Sequence, residues 1–475
     1  MKILLVNPPS GDLTVGLKHL AKIEPLGLEI IGAAVPDHDV ELLDMELDTN
    51  LKGALQRFNP DIVGASAQVV QIYTAQRVFK IAKEFNPNIL TVVGGHHATL
   101  CPHEFNSPFI DVVVIGEGVL AFREIVAHWD RKKEIDFDDI QGLGLQQDGK
   151  LYLTAPRPFP VSLDHMPHPN RSLTDKYRSR YFYLFENSVA SIQTSLGCTF
   201  PCNFCSCQHF TGRRFITRSP KLIVEDLKTV KEEFIMFCDD HTFIDVKRME
   251  RLHDLIVEAG IKKRYFAYTR TDCVVKNPEI FAQWARIGLV LVMTGLEAID
   301  DSRINEVNKR TSVEINEKAI EILAKNGIGL SAGFLIMPDY TEEDFQRIDA
   351  YVRRHPNIVL TELTPLTPLP GTGFHQEMKD KVTTHHREVY DLAHFVIPTT
   401  RLSPPQIYRL IQKYYFKIAL RAILRLKLYR PQYIFKRHMP RLIAGLWLNS
   451  HLIKRMYITT SIPAPQEAVY ENTVS

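Results

Sequence analysis

The amino-acid sequence predicts an α/β protein in three parts: a doubly wound parallel sheet, a partial (β/α)6 barrel and a C-terminal helical region. Two observations lead to this prediction. Short β-branched runs alternate with helical stretches at the start of the chain, and the same alternation resumes after a proline-rich interruption. With 45% apolar and 24% charged residues, the 475-residue chain has the composition of a globular protein, which excludes a fibrous or wholly disordered one.

The first part, residues 1–135, has the spacing of a Rossmann-like, doubly wound sheet. Its predicted strands are 2–6, 40–43, 61–65, 89–93 and 111–115. In an open α/β sheet ligands bind at the carboxyl ends of the strands, and glycines there let a ligand approach the backbone. The candidate ligand-binding residues at this edge are Pro8, Pro9, Ser66, Gly94, Gly95, His97, Gly116, Glu117 and Gly118. No GxGxxG motif follows the first strand, which disfavours a dinucleotide site, and the alternative is that these residues only turn strand into helix.

Residues 136–185 are predicted to form an irregular connector with a short hairpin, because glycines and prolines break any long periodicity there. The predicted barrel spans residues 186–375. Its six strands are 191–194, 234–238, 265–269, 289–294, 330–336 and 359–363, and the helices between them include 221–232, 246–259 and 312–326. Six strand–helix units indicate an incomplete barrel rather than the eight of a closed one.

The last part, residues 376–475, is helical and basic. Between residues 401 and 457 there are thirteen Lys or Arg and no Asp or Glu. The cations that recur every four residues beside apolar side chains are Arg409, Lys413, Lys417, Arg421 and Arg425; segment 435–456, with Trp447, repeats this mixture after a break at Pro431. Such a helix could lie on an anionic membrane surface. Alternatively, its apolar face could cover the open barrel while its basic side faces solvent.

The net charge of +2 implies no nucleic-acid partner, and no recognised nucleic-acid-binding fold contains the basic segment. The first apolar run is too short for a signal peptide. No run reaches the length of about 18 apolar residues that a membrane-spanning helix needs. The expected location is the cytoplasm, either free or peripheral on the inner face of the membrane.

Four of the seven cysteines lie within ten positions, which favours metal or redox chemistry over a disulfide framework. Cys198, Cys202 and Cys205 form a C-x3-C-x2-C loop directly after a predicted strand. Thiolates are the usual ligands of iron–sulfur clusters, and three of them would hold three irons of a cubic cluster and leave the fourth open. The alternatives are a zinc site completed by Cys207 or His209, and thiols that bind no metal.

This loop resembles the signature of the radical S-adenosylmethionine superfamily, in which Phe204 matches the aromatic residue before the third cysteine. The resemblance implies a [4Fe-4S] cluster on the three cysteines, with an open iron that chelates S-adenosylmethionine. It also implies reductive cleavage of that cofactor to a 5′-deoxyadenosyl radical that abstracts hydrogen from the substrate. A reducing partner such as a flavodoxin or ferredoxin would supply the electron.

Further segments resemble the cobalamin-binding subgroup of that superfamily. They are 237–243, 295–298 and 309–311 in the barrel, and 7–9, 94–97 and 116–118 in the first part. The resemblance implies that cobalamin binds at the sheet edge, and that S-adenosylmethionine contacts Asp239, Asp240, Arg270 and Glu297. The alternatives are helix capping for the two aspartates and structural ion pairs for Arg270 and Glu297. The spacing of an Asp-x-His-x-x-Gly motif is missing, so no lower axial ligand of cobalamin is named.

The function that the resemblance implies is methylation of an unactivated carbon of a hydrophobic substrate by a cobalamin-dependent radical enzyme. In overall layout the chain resembles the hopanoid C-3 methylases, so the expected substrate is a hopanoid lipid. Two other classes remain open: a non-methylating member of the subgroup, either a cyclase or an oxidase, and a non-enzymatic iron–sulfur electron-transfer protein.

Overall fold

The computed structural model describes residues 1–16, 20–184 and 186–429, which fold around two large, mainly parallel sheets. The strands are β1 (Lys2–Asn7), β2 (Ala21–Lys22), β3 (Asp39–Asp44), β4 (Ile62–Ser66), β5 (Leu90–Gly94), β6 (Val112–Val114), β7 (Leu143–Gln147), β8 (Lys150–Leu153), β9 (Phe182–Tyr183), β10 (Glu186–Asn187), β11 (Val189–Ile192), β12 (Ser195–Leu196), β13 (Ile216–Thr217), β14 (Phe234–Phe237), β15 (Arg264–Tyr268), β16 (Leu289–Glu297), β17 (Gly329–Ile336) and β18 (Ile358–Pro365). The α-helices are α1 (Leu26–Ala33), α2 (Leu51–Phe58), α3 (Ile72–Phe85), α4 (His96–Leu100), α5 (Gly118–Lys132), α6 (Cys207–Phe210), α7 (Pro220–Thr229), α8 (Val246–Glu258), α9 (Thr271–Lys276), α10 (Pro278–Arg286), α11 (Asp301–Glu306), α12 (Val313–Lys325), α13 (Glu342–Arg354), α14 (Gly373–Met378) and α15 (Pro404–Tyr429).

The N-terminal sheet has seven strands in the order β3-β1-β4-β5-β6-β7-β8, and the first five run parallel. This confirms the predicted doubly wound sheet, and the ends of its five predicted strands lie within one residue of the observed ends. Leu4 and Val63 pack on one face with residues of α2 and α3, whereas Leu5 and Ile62 pack on the other with residues of α5. Both faces are covered, which is why these strands are almost continuously apolar.

The hairpin expected in the connector belongs to the N-terminal sheet. β7 pairs antiparallel with β6, placing Val113 opposite Gly144, and β8 pairs with β7. The sheet therefore extends beyond the domain boundary expected at residue 135, because the hairpin satisfies the free edge of β6. The rest of the connector contains a 3-10 helix, Arg171–Arg180.

The second sheet has six parallel strands in the order β11-β14-β15-β16-β17-β18, which confirms the predicted partial barrel. Outward-facing side chains join the surrounding helices in one core, which includes Phe281 and Trp284. The inward-facing apolar side chains form a smaller cluster of Val189, Phe234, Met236, Phe266, Tyr268, Leu291 and Met293, together with Tyr183 of β9. We call the space bounded by the inner faces of these six strands the barrel lumen.

The last described helix, α15, covers the edge strand of the barrel. Its residues in the outer core are Ile407, Tyr408, Ile411 and Tyr414. The Tyr415 hydroxyl accepts a hydrogen bond from the backbone N–H of Leu363 and donates one to the Leu363 carbonyl, each at 3.1 Å. An edge strand exposes unpaired backbone groups, and Tyr415 satisfies those of Leu363.

The basic stripe of α15 is partly paired within the chain. Lys413 binds Glu342 at 2.7 Å, and Arg421 binds Asp349, both acids of α13. The described helix thus adopts the barrel-covering alternative, with part of its basic side paired rather than in solvent. The Arg425 side chain and residues 430–475, including the predicted break at Pro431 and the segment 435–456, lie outside the described part. No helix in the described ranges combines the length and apolar character needed to cross a membrane.

Residues 383–397, which we call the C-terminal strap, return to the N-terminal part of the chain. The Asp391 carboxylate accepts a hydrogen bond from the backbone N–H of Val15 at 2.7 Å. Arg387 binds Glu104 through two hydrogen bonds of 2.9 and 2.7 Å. The strap therefore fastens the end of the barrel segment to the first sheet and its loops.

Candidate functional site

The three cysteines of the predicted cluster loop lie at the carboxyl end of the barrel, between β12 and α6. Gly197, directly before the loop, has a φ of +91°, and any side chain there would collide with the carbonyl of Arg214. The three loop cysteines are free thiols. Three thiolates on one loop suit an iron–sulfur cluster, whereas a structural zinc site normally needs a fourth ligand.

Cys207, the fourth cysteine near the loop, is engaged as a hydrogen-bond donor. Its thiol lies 2.8 Å from Oδ1 of Asp240. Burial raises the pKa values of the Cys198 and Cys202 thiols. This arrangement leaves the first three cysteines as the candidate ligands.

The two adjacent aspartates after β14 bind the backbone that leads into the cysteine loop. Asp239 is buried and accepts hydrogen bonds from the N–H groups of Thr194 and Ser195 at 2.8 and 2.9 Å. Asp240 accepts one from the N–H of Gly197 at 2.7 Å. Neither caps the next helix, because Asp245 is the N-cap of α8. Both aspartates therefore position the loop, and their contact with S-adenosylmethionine stays a prediction.

Arg270 lies directly against the cysteine loop. Its Nη1 is 3.7 Å from the Cys202 sulfur, and its guanidinium carbon is 3.8 Å from the centre of the Phe200 ring. The remaining nitrogens donate to Asp272 at 2.9 Å and to the carbonyl of Lys309 at 2.7 Å. A cation at this position favours the thiolate form of a nearby cysteine, so Arg270 supports Cys202 as a ligand.

Several buried polar groups at the carboxyl end of the barrel lack partners. His241 stacks on Phe200 with ring centres 6.0 Å apart, and burial together with the charge of Arg270 lowers its pKa to about 3. Among the described residues, its Nδ1 and the hydroxyls of Thr242, Thr269 and Thr294 have no hydrogen-bond partner. Because buried polar groups are normally paired, the orphaned Nδ1 of His241 fits the binding of a polar cofactor at this end of the barrel.

Glu297 ends β16 in a left-handed conformation, with a φ of +64°, at a register shift against β17. Its Oε1 accepts a hydrogen bond from the Lys309 ammonium at 2.5 Å, and both side chains are buried. A Cβ on Gly295 would collide with the Glu297 carboxylate, so the pair requires glycine there. Burial acts to lower the pKa of Lys309, but the charge of Glu297 outweighs it and raises that pKa. Glu297 thus forms a structural ion pair with Lys309, which was the alternative to a contact with S-adenosylmethionine.

A cavity of about 220 Å³ lies at the carboxyl edge of the N-terminal sheet. Six of the predicted residues line it: Ser66, Gly94, Gly95, Gly116, Glu117 and Gly118. Leu196 and Phe210, which flank the cysteine loop, line it from the barrel side together with Gln193. The sheet edge and the cysteine-bearing end of the barrel therefore face a common space with mostly apolar walls.

Three predicted residues lie away from this cavity. The His97 ring is 2% exposed, and its Nε2 is hydrogen-bonded to Oε2 of Glu104 at 3.0 Å. The carbonyls of Pro8 and Pro9 each accept a 2.7 Å hydrogen bond from a side chain at the start of α3. These residues therefore stabilise the loops at the sheet edge and do not line the cavity.

Sequence reasoning missed side chains that reach the site from loops and strand interiors. Phe200 and Phe210 were not among the predicted site residues, although one packs on Arg270 and the other lines the cavity. Glu362 was also missed. It is an acid inside an apolar strand, and the alternation of β18 turns it toward the lumen while Leu363 faces the outer core. That alternation was the signal that could have found it.

Comparison with known proteins places these observations in a family. The B12 binding domain matches residues 13–126, and the radical SAM superfamily matches residues 192–352. The chain is 31% identical over 419 residues to hopanoid C-3 methylase of Methylococcus capsulatus, covering 86% of this chain and 78% of that relative. It is 28% identical over 361 residues to the anaerobic magnesium-protoporphyrin IX monomethyl ester cyclase of Rubrivivax gelatinosus, covering 74% and 64%.

A solved structure has the same fold. The radical S-adenosylmethionine methyltransferase TsrM from Kitasatospora setae, with cobalamin and a [4Fe-4S] cluster bound, superposes with a TM-score of 0.62 at 17% identity. The match covers 80% of this chain and 74% of that one. A sheet domain followed by a partial barrel is thus an arrangement shared with a solved enzyme.

Proposed function

This chain belongs to the cobalamin-binding radical S-adenosylmethionine family, and from that premise we propose that it methylates a hopanoid lipid at C-3. It is a cobalamin-dependent radical methyltransferase whose cofactors are a [4Fe-4S] cluster, S-adenosylmethionine and cobalamin. Two observations support the choice of substrate: the 31% identity with the hopanoid C-3 methylase, and the apolar side chains that line the barrel lumen.

When bound, these cofactors supply a radical that activates a carbon–hydrogen bond and a methyl group to replace it. The residues of this chain hold and orient them. Cys198, Cys202 and Cys205 would ligate the cluster, Asp240 would fix their loop, and Arg270 would offset the negative charge on Cys202. The unpaired groups near the carboxyl end of the barrel, His241 Nδ1 among them, would receive the polar parts of S-adenosylmethionine.

Cobalamin would bind between the N-terminal sheet edge and the cysteine-bearing end of the barrel. The cavity there is lined by six of the residues predicted from the sequence to bind cobalamin, and four of them are glycines. Glycine leaves the backbone open to close approach by a large ring. This position would also put a methyl donor near a substrate in the lumen, which the reaction requires.

We propose two partners for this enzyme. A flavodoxin or ferredoxin would reduce the cluster. The basic segment between residues 401 and 457 would bind an anionic membrane surface, since it contains thirteen cations and no acid. Lys413 and Arg421 contribute less to that surface, because each already binds an acid of α13.

The decisive experiment is anaerobic reconstitution with iron, sulfide and cobalamin, followed by turnover of a hopanoid with S-adenosylmethionine carrying a labelled methyl group. We expect a product with one labelled methyl at C-3, detected by mass spectrometry and positioned by NMR. A Cys205→Ala variant is the matched control and should yield neither product nor 5′-deoxyadenosine. Lipid extracts from cells with and without the protein should differ by the same product.

The other outcomes separate the rival functions. 5′-Deoxyadenosine with an oxidised or cyclised product and no label would favour the activity named for the cyclase relative. No 5′-deoxyadenosine at all would favour electron transfer. For the membrane proposal, the wild-type protein should sediment with anionic vesicles at low salt and be released at high salt. Full solubility at low salt would refute it.

A further inference from the structure

Glu362 brings a carboxyl group into the barrel lumen from the inner face of β18. In the sheet register it lies opposite Gly333, which in turn lies opposite Gly295 of β16. Two of the three strands at this level thus present no side chain. The side chain that enters the lumen from this part of the wall is therefore the carboxyl of Glu362.

The carboxylate has one hydrogen-bond partner in the described part of the chain. The hydroxyl of the fully buried Ser331 donates to Oε1 of Glu362 at 3.1 Å. Burial raises the pKa of Glu362, and the hydrogen bond from Ser331 opposes that rise. No hydrogen bond within the described ranges reaches the second carboxyl oxygen, which is left free to meet a ligand.

The surroundings of Glu362 are apolar or weakly polar. Burial raises the pKa values of Tyr183 and Tyr268, and the charge of Glu362 adds to the rise in both, which places both phenol rings near it. The lumen is open at Cys238, whose side chain keeps accessible surface although burial raises the pKa of its thiol to about 11. Glu362 thus faces the aromatic side chains of the barrel lumen.

The row of residues that contains Glu362 lies near the end of the barrel at which the cofactors are proposed to bind. A Cβ on Gly295, in the same row, would lie 2.9 Å from the Lys309 ammonium, which binds Glu297. A molecule that contacts Glu362 therefore lies close to the place proposed for S-adenosylmethionine. That is where a substrate must be for hydrogen abstraction.

We propose that Glu362 binds a hydroxyl group of the substrate, so that this enzyme selects an apolar lipid with a hydrogen-bond donor over the corresponding hydrocarbon. The inference rests on the proposed function and extends it to a feature of the substrate. A buried polar site discriminates against an analogue that lacks its partner, because one of its groups is then left unpaired. Glu362 would be a binding residue and would take no part in the radical chemistry.

The test compares wild type with Glu362→Leu and Glu362→Gln, using the reconstituted full-length enzyme and two probes. The probes are a hopanoid with one hydroxyl group and the matching hopene hydrocarbon without it. We expect Glu362→Leu to raise the KM for the hydroxylated probe by about 10-fold or more, and Glu362→Gln by about 2- to 5-fold, since Gln keeps an acceptor. The KM for the hydrocarbon and the 5′-deoxyadenosine formed without substrate should not change.

Glu321→Leu is the matched control, because it makes the same change at an exposed position of α12, and its KM should stay within about 2-fold of wild type. Iron and cobalt content per chain shows whether each variant is loaded. An unchanged KM in Glu362→Leu, a similar rise for both probes, or a rise in the KM for S-adenosylmethionine instead would overturn the inference while leaving the proposed function intact. If the wild-type enzyme methylates neither probe, the proposed function fails and this inference fails with it.

Discussion

The carboxylate of Asp240 accepts a 2.7 Å hydrogen bond from the backbone N–H of Gly197, the residue directly before the first cysteine of the cluster loop. The other oxygen of Asp240 accepts a hydrogen bond from the thiol of Cys207, which lies two residues after Cys205, the last cysteine of the cluster loop. One carboxylate therefore closes both ends of the loop. A loop fixed in this way can present three thiolates without waiting for the metal to order it.

We expect Asp240→Ala to weaken the cluster without abolishing it. The N–H of Gly197 would be left unpaired, at a cost of about 1–3 kcal/mol, and the loop would sample open forms that lose iron. Iron per chain after reconstitution, and the rate of iron loss to a chelator, measure this. Asp254→Ala, on the exposed side of α8, is the control and should match wild type. Equal iron retention in both variants would contradict the role given to Asp240.

Changing Cys198, Cys202 and Cys205 to Ala, singly or together, should abolish the cluster and 5′-deoxyadenosine formation. Cys207→Ala should keep both, because in this structure Cys207 donates to Asp240 and lies outside the C-x3-C-x2-C spacing. Iron content and the electron paramagnetic resonance spectrum of the reduced protein report the result. Loss of the cluster in Cys207→Ala alone would show that the ligand assignment is wrong.

Glu297→Gln should destabilise the barrel. It leaves the Lys309 ammonium buried without its counter-charge, and removing one partner of such a pair typically costs about 3–5 kcal/mol. Denaturant unfolding of the apoprotein measures the change. Glu314→Gln breaks the exposed pair with Lys318 and should leave the unfolding midpoint unchanged. If both variants unfold alike, the Glu297–Lys309 pair does not stabilise the fold.

Gly94→Val should reduce cobalamin retention and spare the cluster. A Cβ on Gly94 meets Val114 at an ordinary 3.6 Å, so the fold tolerates it, while the added methyl groups enter the cavity. Gly95 is a poorer choice, because its Cβ would lie 2.5 Å from the Ser66 hydroxyl. Cobalt and iron per chain are the two readouts, and Gly373→Ala, which has open space around it, is the control. Unchanged cobalt would count against the proposed cobalamin position.

Glu104→Gln should detach the C-terminal strap and lower stability above pH 4.5. Burial acts to raise the pKa of Glu104, but the hydrogen bonds from His97 and Arg387 outweigh it and lower that pKa from 4.5 to about 2. The carboxylate thus contributes stability that is present above pH 4.5 and is lost as the pH falls toward 2. The difference corresponds to about 3 kcal/mol.

Unfolding of wild type and Glu104→Gln should therefore differ at pH 7 and converge as the pH is lowered. Limited proteolysis near Arg387 would report the detached strap. A constant difference between the two proteins across this pH range would contradict the linkage to Glu104.

Strand positions were predictable because each strand is a short apolar run bounded by turn residues, and this pattern is local. The pairing of the hairpin at Leu143–Gln147 with β6 was not, since it depends on which free edge lies nearby in the folded chain. The cysteine spacing identified the cluster loop for the same local reason. The partners of Asp239 and Asp240 could not be predicted, because the sequence does not say where a side chain points at the end of a strand.

The sequence was also ambiguous for α15. A basic, amphipathic helix fits a membrane or a protein surface equally well. In the folded chain the hydroxyl of Tyr415 meets both backbone groups of Leu363 on the barrel's edge strand, so one face of the helix packs on the barrel. The alternation in β18 that turns Glu362 inward was visible in the sequence. That its neighbour on the adjacent strand is a glycine, Gly333, depends on the strand register.

The hydrogen bond between Val15 and Asp391 joins residues that are 376 positions apart. During synthesis the first sheet leaves the ribosome long before its partner strap exists, since domains fold in the order in which they emerge. The sheet must therefore persist for most of translation with this surface unprotected. A contact so distant along the chain also forms late and slowly, because the long loop has to close first. Ribosome-bound chains that end before residue 383 should be cleaved by protease near Val15 more readily than the finished protein.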